Sequence, residues 1–376
     1  RGFAAKGAHW IKPDLVAEIQ FTEWSEAGAL RHPVFVGLRQ DKKAIDVTRE
    51  HAVLLKNAKA IEKEAHREPN KAKSSSAATD SVAGVKISHP DKLLFPEAGL
   101  SKLDLAKYYE AIADSILPYI EARPLSLVRC PDGWGGECFY QKHAATAVHA
   151  SVQRVQVPES DGTATYMSVN SLPGLVGLVQ WGVIELHPWG SRMPNPDKPD
   201  QLIFDFDPDD KVPWAQLVDA VQSLRTLLDQ LGLKGFLKTT GGKGLHVVVP
   251  IRRTLTWTQA KAFSKAIADL FARTFPQLFI ATLSKAKRNK KIFIDYLRNA
   301  EGATAIAPYG IRSRKNAPVA TPIAWDELAQ DVRFDYFNVR NLPQRLRDMK
   351  QDPWRDFFRT QQTITAAMFK QLGVQR

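Results

Sequence analysis

Hydrophobic residues follow two different spacings along most of this 376-residue chain. Apolar positions three and four residues apart predict three long helices, over residues 103–117, 213–231 and 258–275. Short apolar runs rich in Val, Ile and Phe predict buried strands, over residues 202–206, 245–249 and 292–296. Because long helices and short strands occur together, the pattern predicts an α/β (α+β) domain.

Two changes in this pattern divide the chain. Alternating apolar residues around 15–21 and 33–38 predict a small β unit, which we place at residues 1–55. Residues 56–84 are polar and include a Lys- and Ser-rich run, so they predict a flexible linker. Residues 85–376 then form the α/β domain. The chain begins without an initiator Met, and we expect it to be an interior part of a longer protein.

Composition narrows the class of protein. Lys and Arg number 52 against 40 Asp and Glu, and the net charge of +12 favours a polyanionic partner such as nucleic acid. No apolar run approaches the roughly 18 residues of a membrane span, so we expect a cytoplasmic protein with no membrane partner. Two cysteines, Cys130 and Cys138, are too few for a disulfide framework or a four-Cys zinc site. We interpret both as structural thiols and expect no zinc.

Acidic residues lie at the ends of two predicted strands. Asp205 and Asp207 are two residues apart and therefore point to the same face of their strand, and Asp295 follows another apolar run. Adjacent carboxylates repel unless a cation lies between them, and Mg²⁺ or Mn²⁺ takes such oxygen ligands. Three strand-borne carboxylates therefore indicate a two-metal phosphoryl-transfer site. An Asp-x-Asp pair alone is equally typical of a solvated strand end.

A glycine-rich segment at residues 239–246 leads into the strand over 245–249. Its backbone N–H groups and Lys243 have the chemistry to hold phosphates. The segment is not a Walker A loop, because Leu237 stands where the first Gly is required and a strand follows instead of a helix. Taken alone, it is more often a simple hairpin connection.

Cations and aromatic residues flank these motifs. Residues 285–291 contain five cations, a run that usually forms a solvated face, whereas Arg298 lies three residues past Asp295 and is placed to grip phosphates. Phe139 and Tyr140 follow a glycine-rich loop. They would stack on bases if exposed, or pack in the core as part of a short strand.

Together these segments resemble the polymerase domain of bacterial ligase D, which belongs to the archaeo-eukaryotic primase superfamily and acts in non-homologous end joining. The resemblance covers about residues 85–376. It depends on four motifs in family-like order: Asp205-Phe206-Asp207-Pro208, Thr239-Thr240-Gly241-Gly242-Lys243-Gly244-Leu245-His246, Ile294-Asp295-Tyr296-Leu297-Arg298-Asn299 and Thr304-Ala305-Ile306-Ala307-Pro308-Tyr309-Gly310-Ile311-Arg312-Ser313-Arg314.

The resemblance implies a role for each matching residue. The implied metal ligands are Asp205, Asp207 and Asp295, with His187 near the sugar and the metal site. The implied nucleotide-binding residues are Thr240, Gly241, Lys243, His246, Arg288, Arg298 and Arg312. The implied DNA contacts are Phe139 and Tyr140 against the template base, and Lys92 and Lys102 on a 5′-phosphate at a gap. Two positions depart from the family, since Thr240 stands where Ser is frequent and Tyr140 where Phe is common.

The resemblance also implies a fold and an activity. The fold would be a primase-like core of mixed and antiparallel sheets flanked by helices. The activity would be template-dependent nucleotidyl transfer that fills gaps and extends ends, with two Mn²⁺ or Mg²⁺ ions and ribonucleoside or deoxyribonucleoside triphosphates. Implied partners are gapped or broken DNA with a 5′-phosphate, bacterial Ku and the other ligase D domains, in the bacterial nucleoid.

Residues 1–50 resemble the end of the OB-fold domain of ATP-dependent DNA ligases. The similarity lies in His9-Trp10-Ile11-Lys12-Pro13 and in the stretch from Arg31 to Lys42. The sequence contains no Lys-x-Asp-Gly nucleophile motif, so we expect no ligase activity from this chain.

Two other classes of function share parts of this pattern. A two-metal nuclease also clusters carboxylates, but it has no triphosphate to hold and would not need the segment over 239–246 together with Arg298 and Arg312. A non-catalytic DNA-binding module would need only the positive charge, and retention of all three carboxylates argues against it.

Overall fold

The structure, a computed structural model, describes residues 80–375 except 146–147, 160–161, 283–287, 330–331 and 334, together with the backbone of four short strands nearer the N-terminus. The chain divides into two compact units, Arg1–Ser76 and Ala77–Arg376. The segment His9–Pro13 and most of the predicted linker lie outside the described residues.

The first unit contains the predicted pair of strands. Strand β1 (Val16–Gln20) pairs antiparallel with β4 (Val34–Arg39), and β2 (Glu23–Trp24) pairs with β3 (Leu30–Arg31). The division at residues 1–55, 56–84 and 85–376 stays a prediction. One difference is visible, because Ser81–Val82, placed in the linker, already forms a strand.

The second unit mixes helices with short strands, as predicted. Its helices are α1 (Lys102–Ile120), α2 (Leu172–Gln180), α3 (Trp214–Gln230), α4 (Trp257–Thr274), α5 (Leu342–Asp348) and α6 (Ala366–Gln371). Its strands are β5 (Ser81–Val82), β6 (Val85–Lys86), β7 (Leu93–Phe95), β8 (Leu100–Ser101), β9 (Leu125–Arg129), β10 (Phe139–Gln141), β11 (Gln153–Glu159), β12 (Gly162–Ser168), β13 (Val183–Pro188), β14 (Gln201–Pro208), β15 (Phe236–Thr239), β16 (Leu245–Pro250), β17 (Phe279–Ile280), β18 (Ile292–Asp295) and β19 (Pro322–Ile323).

A six-stranded sheet forms the centre of this unit, in the order β17-β18-β14-β16-β15-β19. Its pairs are antiparallel except β17 with β18. Helices α3 and α4 pack against β14, and their apolar faces cover the sheet with side chains such as Leu224 and Phe263, which are fully buried. The three long helices and three strands read from the apolar pattern are confirmed, with ends that shift by at most three residues.

A second sheet of five strands is built around β9. Strand β13 pairs along one edge of β9, while β10 and the C-terminal end of β12 share the other edge. Strand β11 pairs in turn with β12. Helix α1 begins at a capping box formed by Ser101 and Asp104 and packs against α2. Among the described helices, none is long and apolar enough to cross a membrane.

Candidate active site

The register of the central sheet aligns four polar side chains across four neighbouring strands. Asp205 of β14 lies directly opposite Asp295 of β18 on one side and His246 of β16 on the other. His246 in turn lies opposite Lys238 of β15. Directly opposed residues in antiparallel strands point to the same face, so all four side chains lie on one face of the sheet. Asp207, two residues after Asp205, shares that face.

Arginines and a histidine contact the three carboxylates. Arg298 Nε lies 3.2 Å from Asp205 Oδ2 and 3.3 Å from Asp295 Oδ2. His246 Nε2 lies 3.2 Å from Asp205 Oδ1. Two carboxylates that face one another therefore converge on a single cationic group.

A second arginine reaches the third carboxylate. Arg288 Nη1 donates to Asp207 Oδ2 at 3.0 Å, and its guanidinium lies 3.9 Å from the ring centre of Phe293. Of the cation run around it, Lys290 is exposed, as predicted for a solvated face, and Lys291 is only partly exposed, while Lys285 and Lys287 lie outside the described residues. The run therefore contributes at least one side chain, Arg288, to the cleft.

Burial and charge act differently on the three acids. Burial opposes ionisation of Asp205, but His246 and Arg298 outweigh it and hold its pKa well below the usual range. Burial, and after it the negative charge of Asp205, raises the pKa of Asp207 even though Arg288 opposes this. Burial also raises the pKa of Asp295, where Arg298 opposes and Asp205 adds to the shift. Asp207 and Asp295 are thus carboxylates whose negative charge is not fully compensated.

These donors fit hard divalent cations. All three are carboxylates, which Mg²⁺ and Mn²⁺ prefer, and two of them already share one positive group. Among the described residues no three Asp, Glu, His or Cys side chains lie together as a metal-binding group, and the carboxylates of the cleft pair with arginines. Metal binding would have to replace part of these ion pairs.

The glycine-rich segment forms the turn between β15 and β16 and closes on itself. Thr240 Oγ1 donates to the carbonyl of Gly244 at 3.0 Å and accepts from the N–H of Gly242 at 3.1 Å. Gly241 has a φ of +62°, and a Cβ there would lie 2.9 Å from Arg312 Cγ. The hairpin interpretation is therefore correct for the backbone, and the turn is also packed against Arg312.

The acids, this turn and the cations line a cleft of about 280 Å³. Lys243 is half exposed at its mouth and pairs with Asp210. The lining residues are Asp205, Asp207, Thr240, Gly242, Lys243, Gly244, His246, Arg288, Phe293, Asp295, Arg298, Arg312 and Arg314. The structure thus brings together the three predicted acids and the predicted nucleotide-binding residues. Gly241 does not line the cleft itself but packs against the lining residue Arg312.

His187 reaches this region from the other sheet. It lies on β13, 7% exposed, and its Nε2 contacts Glu185 Oε2 at 2.8 Å. The ring centres of His187 and Tyr140 are 5.9 Å apart. Burial lowers the pKa of His187, with Glu185 acting in the opposite direction. Sequence reasoning missed Glu185, although its position two residues before His187 on a strand places both side chains on one face.

Phe139 and Tyr140 are exposed, at 41% and 68% of their surface. They lie on β10, at the edge of the five-stranded sheet, and Arg129 lies 5.3 Å from the Phe139 ring centre. The core alternative for this pair is therefore wrong, and each ring leaves part of its surface open to a ligand.

Lys92 and Lys102 meet at the start of α1, where the N–H of Lys102 donates to the carbonyl of Lys92 at 2.9 Å. Lys92 pairs with Asp132 at 2.8 Å, and Lys102 Nζ donates to the carbonyl of Ser88 at 3.1 Å. Burial, and after it the charge of Lys92, lowers the pKa of Lys102. Lys102 is buried and Lys92 is partly exposed, so the pair places positive charge beside a helix N-terminus, where an anion is favoured.

The interpretation of the two cysteines as thiols is wrong. Cys130 and Cys138 are joined in a disulfide, with their Cα atoms 4.3 Å apart. The reason is the pairing of β9 with β10, in which Arg129 lies opposite Phe139. The residues just beyond that pair must therefore also face each other. Spacing along the chain does not reveal this register.

Comparison with known proteins agrees with this geometry. Residues 101–354 match the family described as LigD, primase-polymerase domain, and residues 2–42 match the ATP dependent DNA ligase C terminal region. The multifunctional non-homologous end joining protein LigD of Pseudomonas aeruginosa is 41% identical over 365 residues, which are 97% of this chain and 42% of that protein. The LigD protein of Mycolicibacterium smegmatis is 33% identical over 67% of this chain and 34% of its own length.

A solved structure shares the fold. The polymerase domain from Mycobacterium tuberculosis Ligase D, in complex with DNA, matches with a TM-score of 0.68 and 31% identity, over 72% of this chain and 97% of that domain. The chain belongs to the LigD primase-polymerase domain family, whose members are DNA-directed nucleotidyltransferases within multifunctional LigD proteins. It spans less than half the length of the two full LigD relatives described above.

Proposed function

We propose that this chain adds nucleotides to a primer end in a template-dependent reaction, at gaps and broken ends repaired by non-homologous end joining. The observation that supports this most directly is the cleft in which three carboxylates on β14 and β18 face the β15–β16 turn and four arginines. Such a site combines the ligands for divalent cations with the positive groups that a triphosphate needs.

Two groups of cleft residues would have different roles. Asp205, Asp207 and Asp295 would hold two divalent ions, Mn²⁺ or Mg²⁺, which activate the primer hydroxyl and neutralise charge on the leaving pyrophosphate. The remaining cleft residues bind and orient the ribo- or deoxyribonucleoside triphosphate. In this role Arg298 and Arg312 contribute charge-assisted hydrogen bonds. Lys243 contacts the nucleotide from the β15–β16 turn, and His246 contacts it from β16.

DNA would be held outside the cleft. Phe139 and Tyr140 present exposed rings, that of Tyr140 next to His187, and ring stacking against a template base does not depend on its identity. Lys92 and Lys102 would bind a 5′-phosphate on the far side of a gap. In a full-length protein, bacterial Ku and the other ligase D domains would be partners in the nucleoid.

The test is single-nucleotide incorporation on a gapped duplex with each nucleotide type and each metal. We expect Asp205→Asn, Asp207→Asn and Asp295→Asn to lower the incorporation rate at least about 100-fold while DNA affinity stays within about twofold, because the acids serve the ions and other surfaces serve the DNA backbone. Asp219→Asn, which changes an exposed carboxylate of α3, is the matched control.

Three outcomes would reject the proposal. Substantial incorporation by any of the three variants would remove the carboxylates from the reaction. Metal-dependent cleavage of the same DNA by the wild-type protein, without incorporation, would favour the nuclease alternative. Binding with neither activity would leave the non-catalytic module.

A further inference from the structure

Glu185 has a carboxylate that is buried and fully engaged. The residue lies on β13 and is 3% exposed. Its Oε2 contacts His187 Nε2 at 2.8 Å and lies 3.2 Å from Arg312 Nε, an ion pair without hydrogen-bond geometry. Its Oε1 accepts from the backbone N–H of Ser313 at 2.8 Å and from Ser313 Oγ at 2.6 Å. These partners come from two separate segments of the chain.

The carboxylate is ionised in spite of its burial. Burial raises the pKa of Glu185, but the hydrogen bond from His187 and the charge of Arg312 outweigh it and lower the pKa to about 2. A glutamine side chain has one acceptor oxygen and one donor amide, so it cannot accept hydrogen bonds from His187 on one side and from Ser313 on the other. The arrangement is therefore specific to a carboxylate.

The first consequence concerns the imidazole of His187. A carboxylate on Nε2 makes that nitrogen the donor and fixes the plane of the ring. Glu185 and His187 point to the same face of β13, so the ring is held in the direction of Tyr140. Without Glu185 the imidazole would be free to rotate and to change tautomer.

The second consequence concerns Arg312. Its Nε faces Glu185, while its Nη1 donates to the carbonyl of Thr240 at 3.3 Å. The guanidinium thus lies between β13 of the five-stranded sheet and the β15–β16 turn of the central sheet. The two bonds from Ser313 to Glu185 hold the backbone next to Arg312 in place.

We infer that Glu185 is a positioning residue for nucleotidyl transfer, which holds His187 and the cleft residue Arg312 in fixed orientations. This inference rests on the proposed function. Glu185 is not placed in contact with the substrate, and it acts through the two residues that it orients.

Double-mutant cycles test this role, because residues that act through one another lose additivity. The variants are Glu185→Gln, His187→Ala, Arg312→Ala and the two double variants that contain Glu185→Gln. The measured quantities are kcat and KM for nucleotide in single incorporation on a gapped duplex. We expect Glu185→Gln in the wild-type background to lower kcat/KM about tenfold or more. In the His187→Ala and Arg312→Ala backgrounds, the fold loss of kcat/KM caused by Glu185→Gln should be at least about threefold smaller.

A merely structural role would give a different result. If Glu185→Gln caused the same fold loss in all three backgrounds, or no loss, the inference would be overturned. Wild-type protein that fails to incorporate would reject the proposed function, and this inference with it. Glu159→Gln is the matched control, since Glu159 is a carboxylate on the same sheet that also contacts a histidine, His143, and accepts from Tyr166, but lies outside the cleft. It should leave kcat/KM within about twofold.

A milder change covers the case in which Glu185→Gln does not fold. Ser313→Ala removes one hydroxyl donor to Glu185 and keeps the backbone bond. We expect it to lower kcat/KM for nucleotide about threefold while the protein stays folded at the assay temperature, and an unchanged kcat/KM would count against the inference.

Discussion

Lys238 is a lysine inside the sheet, next to the acidic cluster. It is 1% exposed, its Nζ donates to the carbonyl of Ile306 at 3.0 Å, and it lies opposite His246. Burial lowers its pKa from 10.5 to about 7, with the charge of Asp205 opposing this. Burial and the charge of Lys238 in turn lower the pKa of His246 to about 4, so its imidazole is neutral at physiological pH.

The lowered pKa of Lys238 predicts how stability changes with pH. Between about pH 7 and 10.5 the folded lysine has lost its proton while the unfolded one keeps it, so the free energy of unfolding should rise with pH, by up to about 1.4 kcal/mol per unit. Lys238→Met should lack this rise. Denaturant unfolding of both proteins at pH 7 and 9, with a chelator present, measures the difference. Parallel stability curves would show that Lys238 titrates normally.

At the scale of elements, the β15–β16 hairpin must approach β14 very closely. A Cβ at Gly244 would lie 2.3 Å from the carbonyl oxygen of Phe206, just before the pair formed by Phe206 and Leu245. Only glycine allows this approach, and the approach sets His246 beside Asp205. The geometry of the β15–β16 turn is therefore linked to the position of His246 beside Asp205 through one backbone contact.

Gly244→Ala should separate the hairpin from β14. Because the clash is with backbone atoms, we expect the free energy of unfolding to fall by about 1–3 kcal/mol and the KM for nucleotide to rise. Gly135→Ala is the control, since a Cβ there would meet no atom within 4 Å, and it should change stability by less than about 0.5 kcal/mol. Thermal unfolding and single-incorporation kinetics give both quantities. An unaffected Gly244→Ala protein would show that the hairpin can move without cost.

At the scale of the whole molecule, two groups of cations lie apart from each other. One group lines the cleft, and Lys92 with Lys102 forms a pair at the start of α1 that is not part of the cleft lining. Under the proposed function, substitutions in one group should alter DNA anchoring and substitutions in the other should alter nucleotide binding. The net charge of +12 by itself did not distinguish them.

This separation predicts selective loss of phosphate recognition. Wild-type protein should bind a gapped duplex about tenfold more tightly when the 5′-phosphate is present, since charge-assisted bonds typically contribute about 1.5–3 kcal/mol each. Lys92→Gln/Lys102→Gln should bind both forms alike and keep its KM for nucleotide, while Lys107→Gln, an exposed lysine of α1, should behave as wild type. Fluorescence anisotropy with the two duplexes measures this. An equal phosphate effect in the double variant would place the phosphate site elsewhere.

The sequence by itself determined the helices, the central strands and the three acids. Apolar spacing is a local property, and it predicted α1, α3 and α4 to within three residues. Asp205 and Asp207 share a face simply because they are two apart on a strand. The motif order was enough to predict the family before any geometry was known.

Only the tertiary structure decided which distant residues meet. The register of β14 with β16 and β18 placed Asp295, Asp205, His246 and Lys238 in one row, and no local pattern reports a register between strands far apart in sequence. The same holds for the disulfide of Cys130 with Cys138, which follows from β9 pairing with β10. Glu185 acquired its partners Arg312 and Ser313 from a segment about 128 residues away, because buried charges must find donors wherever packing brings them.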